Sequence, residues 1–152
     1  MKKTLIAIFL LLSANSIFAK ASINDMQQCQ ALINFIQNTL QPIPDNYTEG
    51  EVSTVLKGLT AYDNYIQKDI INPGLLAFNK NDQAKADAMQ KQIDAYKTQV
   101  TKAYGQRYPQ KKLFTDHAVA LNECAKKSAP KGEDLTALKA SLEMIISLAK
   151  KG

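Results

Sequence analysis

INDMQQCQALINFIQNTL, running from Ile23 to Leu40, places Met26, Cys29, Ile33, Ile36 and Leu40 at alternating three- and four-residue steps. That spacing follows the 3.6-residue turn of an α-helix and sets all five side chains on one face. Ser22, with Asp25 three positions on, supplies a capping pair at the start. Pro42 and Pro44 close the helix, because proline cannot continue the hydrogen-bond ladder.

The same period continues along the chain. Thr48-Glu49-Gly50-Glu51 is a capping box, and Val52, Val55, Leu59, Tyr62, Ile66 and Ile70 form the stripe of a second helix to about Ile71. Asn72-Pro73-Gly74 is expected to stop or kink it, with Leu75–Phe78 as a short turn or continuation. A third helix is predicted from Asn81 or Asp82 to about Tyr104, with Met89, Ile93, Tyr96, Val100 and Ala103 inward and Gly105 and Pro109 ending it. A fourth covers about 115–128 and a fifth 133–150, the latter with Leu135, Leu138, Leu142, Ile145 and Ala149 inward. No period-2 alternation is sustained. The fold class is therefore all-α, a four- to five-helix bundle of the up-down type.

Upstream of the first helix, Lys2 and Lys3 precede an apolar run, Leu5–Leu12, and a short stretch of small residues to Ala19. This order is that of a secretory signal peptide, cleaved after Ala19 or Ala21, and the run is too short for a membrane span. The reading is residues 1–19 as signal and 20–152 as one helical domain of a periplasmic protein. In that oxidising compartment Cys29 and Cys124, the only two cysteines, are expected to form a disulfide that staples the bundle.

Composition narrows function by exclusion. The 152 residues include one His and two Cys, too few for a His-rich or Cys₄ metal site, and no Gly-rich phosphate loop is present. No metal and no cofactor is therefore expected. The formal charge of +5 includes Lys2 and Lys3 of the leader, and the remaining excess lies in Lys111–Lys151. This bias suits an acidic partner or an ordinary solvated surface, and nucleic acid is not expected. Glu49, Glu51, Asp63 and Asp69 match no paired-carboxylate motif, and a single His gives no nucleophilic relay, so no catalytic residue is assigned. Candidate ligand- or partner-facing residues are Tyr62, Tyr65, Tyr96 and Tyr104, with Tyr108 nearby, expected to approach one another between the second and third helices.

Ala84–Tyr108, ending Lys102-Ala103-Tyr104-Gly105-Gln106-Arg107-Tyr108, resembles the last helix of periplasmic cytochrome b562-like four-helix bundles. Met26 resembles the position of that family's axial Met. The resemblance implies a helical bundle and a haem carrier, but the family's ligating His is matched here by Gly105, which has no ligating atom. His117 is the remaining candidate ligand. The leading expectation is a non-enzymatic protein that binds another protein, immunity- or inhibitor-like or stress-chaperone-like. The alternative is a small-ligand or haem carrier. A periplasmic or incoming protein is the expected partner, with a homodimer as the other arrangement.

Overall fold

Residues 21–151 are described by the structure, a computed structural model, so the signal peptide expected over 1–19 lies outside the described residues. Helix α1 is Ile23–Thr39 and α2 is Glu49–Tyr65; a π-helical turn, Ile66–Ile71, joins α2 to α3, Asn72–Phe78. Then come α4, Gln83–Arg107, α5, Thr115–Lys127, and α6, Gly132–Ala149. With 49–78 as one continuous rod, five rods make up the bundle, and no strand occurs among the described residues.

Local signals set most of the helix starts. The Ser22 hydroxyl accepts from the Asp25 N–H, Thr48 and Glu51 close a reciprocal capping box, and Asp82 accepts from the Lys85 N–H. Each satisfies N–H groups that a helix start leaves without partners. Glu51 is held at a pKa of about 2, first by its hydrogen bond to Lys151 and then by the Thr48 N–H.

The order of contacts gives the directions. Glu51 meets Lys151 and Val55 meets Ser141, so α2 and α6 are antiparallel. Asp25 meets Lys127 and Phe35 meets His117, so α1 and α5 are antiparallel too. Gln30 meets Lys97 and Phe35 meets Tyr104, so α1 and α4 run parallel. The rods thus alternate up and down in chain order. The disulfide forms between Cys29 and Cys124 and ties α1 to α5.

Helix α1 sits at the centre, against α2, the π turn, α4 and α5. Its predicted stripe is buried as expected, but so are Gln27, Gln30, Ala31, Leu32, Phe35 and Thr39. A helix contacted by several neighbours buries more than one face.

At Asn72-Pro73-Gly74 the second rod does not stop; of the outcomes expected there, Leu75–Phe78 is the helical continuation. There the Asn72 N–H bonds the Gln67 carbonyl, and this wider π turn precedes Pro73, which stands in the first turn of α3. Proline at a helix start lacks only an N–H that is unpaired there anyway. Gly105 does not end α4 either: the helix runs through it to Arg107, and Gly105 lies in open space. On α4, Tyr96 and Ala103 are exposed, whereas Lys97 and Tyr104 are partly buried.

Candidate functional site

Three arrangements stand out above simple core packing. The first is a polar ring where α1, the π turn and α4 meet. Gln30 donates to Gln67, Gln67 to Gln90, and Gln90 to Asp94. Lys97 closes the circuit by donating to Gln30 at 3.2 Å while pairing with Asp94 at 2.9 Å. Gln67 also donates to Asn72. Asp63 lies beside this ring, and burial pushes its carboxyl pKa up against smaller downward pulls from Gln30 and Lys97.

The second is an aromatic cage around His117, which is 2% exposed. Phe35, Tyr108 and Phe114 each meet the imidazole edge-on, with ring centres 5.4, 4.8 and 5.5 Å away. Arg107 stands over the Tyr108 ring and Lys112 over that of Phe114. His117 Nδ1 accepts the Phe114 N–H at 3.3 Å, so the residue serves as the third-position acceptor at the start of α5. With Nδ1 accepting, the neutral ring carries its proton on Nε2, which is buried and has no hydrogen-bond partner among the described residues.

The third is a groove along α2. The loop that follows α1 supplies Leu40, Gln41 and Ile43, and α2 supplies Val52, Ser53, Leu56, Ala61 and Tyr65, enclosing about 930 Å³. Glu49, Asp69 and Asp134 mark its rim together with Lys57 and Lys68. A second depression, of about 530 Å³, lies between α2 and α6 and shares Lys57, Ala61 and Asp134 with it.

The tyrosines do not form one cluster between the second and third predicted helices. Tyr62 and Tyr65 stack with centres 6.3 Å apart and bind the same residue, Ser128: the Tyr62 hydroxyl donates to its carbonyl and the Tyr65 hydroxyl pairs with its side chain. Tyr104 stacks on Phe35, and Tyr108 belongs to the His117 cage. Tyr96 is 42% exposed and joins neither group. The cause is the rotation of α4, which turns its polar side toward Gln30 and carries Tyr96 to solvent.

Tyr62 is fully buried, and burial raises its phenol pKa, which keeps the hydroxyl protonated as a donor. Tyr62→Phe should therefore lower stability by about 1–2 kcal/mol, since it strands the Ser128 carbonyl. Tyr96→Phe should leave the melting temperature unchanged; a pair of thermal melts checks both.

The candidate haem ligands do not converge. Met26 is fully buried in the core, and His117 packs against Phe35, nine residues further along α1 and therefore roughly 13 Å up the helix. Gly105 contributes only empty space.

The sequence points to His117 and to one of its neighbours, Tyr108, but not to Phe35 or Phe114, which come from α1 and the start of α5. The groove had no sequence signal, because its walls come from a loop, one face of α2 and the start of α6. Comparison of the chain with family models, curated proteins and solved structures returned no match.

Proposed function

We propose that the protein is exported to the periplasm and acts without catalysis, holding a helical segment of another protein in the α2 groove, in an inhibitor-like or chaperone-like role. The signal-like order of residues 1–19 and the Cys29–Cys124 disulfide suit an oxidising compartment outside the cytoplasm. No helix among the described residues is long and apolar enough to cross a membrane.

The groove carries the reading. From Glu49 to Asp69 it follows α2 for roughly 30 Å, the length of a helix of five to six turns. Its accessible apolar lining is the half-buried Leu56 and Tyr65 and the 42%-exposed Ile43, floored by the buried Leu40 and Val52, and its rim carries both signs of charge. Apolar anchors in a groove with a charged border are how amphipathic helices are recognised.

A photo-crosslinker at the exposed Ser53 should trap one partner protein in the native compartment. The same probe at exposed Gln99 on α4 should not, and Ile43→Asp should abolish the Ser53 adduct without changing the helical circular dichroism. Equal labelling from both positions, or no adduct from Ser53, would overturn the proposal. An adduct between two copies of this chain would replace it with self-association.

A further inference from the structure

We infer that His117 is a proton switch for the groove: uptake of a proton at Nδ1 breaks the Phe114 cap, releases the 108–114 strap and frees the loop that walls one end of the groove. This regulation rests on the groove reading given above.

The geometry makes the proton and the cap mutually exclusive. The lone pair of Nδ1 is occupied by the Phe114 N–H. The neutral ring has no other basic nitrogen, so a protonated imidazole would set two donors against each other. Nε2 offers no relief, being buried without a partner among the described residues. The added charge would also sit in a site that excludes water, which disfavours the charged form.

The charges facing the cage do not compensate. From α4 comes Arg107, over Tyr108, with the Tyr104 and Tyr108 phenols; from the strap come Lys111 and Lys112, the latter over Phe114. From α5 comes Asp116, next to His117 in the chain, while Asp45 on the loop after α1 is exposed to solvent. Helix α1 has no charged residue beyond Asp25, at its far end. Burial still wins over the upward pull of Asp116 and holds the imidazole pKa near 4.

The strap transmits the change. Leu113 is fully buried, and its N–H donates at 2.9 Å to the hydroxyl of Tyr47. Tyr47 is the buried anchor of the loop whose Gln41 and Ile43 wall the groove. A strap that leaves with its histidine removes that anchor.

The sign follows from linkage. A solvated histidine titrates near 6.5, so the opened strap binds a proton between pH 6.5 and 4 while the closed strap does not. The closed form is fully favoured above pH 6.5 and loses ground as pH falls, with opening on the order of a hundredfold easier at pH 4.

Hydrogen exchange on the protein alone tests this without any partner, so its failure leaves the groove reading standing and a failed crosslink leaves this one standing. With intrinsic rates corrected for pH, protection in 108–117 and 41–48 should fall at least tenfold from pH 7 to pH 4, while 132–149 stays protected. His117→Gln keeps an acceptor for the Phe114 N–H but cannot titrate, so its protection should not change. The switch is overturned by unchanged protection in the native protein or by the same fall in the variant. Should the variant not fold, an NMR titration of His117 in the native protein decides: its midpoint should coincide with loss of strap protection, and an imidazole that titrates beneath a protected strap overturns the switch.

Discussion

Replacing Cys29 and Cys124 together with alanine should destabilise the protein by about 2–5 kcal/mol, read as a lower urea midpoint with a slope that is no shallower, since the released unfolded chain exposes more surface. The bond spans 95 positions, most of the described chain, and closing a loop of that size restricts the unfolded ensemble by up to ~4.7 kcal/mol in the chain-entropy picture. Both residues are also buried at the α1–α5 contact, so packing is lost along with the crosslink. Because α1 is central, loosening it from α5 weakens the contact on which the His117 cage depends. A loss below about 1 kcal/mol would show that packing alone holds α5 in place.

Gly58→Ala should be destabilising by about 2–3 kcal/mol, against the usual trend for a helical glycine. On an unpacked helix the substitution would stabilise by roughly 1 kcal/mol. Here a Cβ would fall 2.3 Å from the Ala137 carbonyl oxygen and 2.5 Å from the Ser141 Cβ. The first obstacle is backbone, which cannot rotate aside, so α6 must move off α2. Moving it also stretches the buried bond from the Ser141 hydroxyl to the Val55 carbonyl at 2.9 Å. Thermal and urea unfolding of the single variant measure the effect, and a rise in stability would mean that the two helices are not in close contact at Gly58.

The sequence resolved what depends on short-range chemistry. The caps at Ser22 and Thr48 reach only three residues, and the α1 and α2 stripes follow from periodicity. Beyond that range it failed for identifiable reasons. Gly105 reads as a terminator because local propensity disfavours it inside a helix, whereas α4 runs through it to Arg107; at Pro73 the sequence leaves a stop and a continuation both open. Tyr96 fits the apolar period of α4 but faces solvent, because the buried side of that helix mixes Ala86, Met89 and Ile93 with Gln90 and Lys97, which bond to Gln67 and Gln30. His117 was legible as a helix-start residue, which it is, but its burial is set by Phe35 and Tyr108, far from it in the chain. The groove depends entirely on how the loop after α1 and the start of α6 lie along α2.

The glutamine–lysine–aspartate ring gives the bundle an index mark. Apolar stripes repeat every turn, so α1 and α4 could slide past one another by 5.4 Å and still bury Leu, Ile and Met side chains. The ring cannot follow. Asp94 only accepts and Lys97 only donates, and these two charges fix which way the amides of Gln30, Gln67 and Gln90 must point. A one-turn slip would leave amide groups and a mostly buried ammonium facing hydrocarbon. Its five members contribute less to holding the helices together than to excluding every alignment but one.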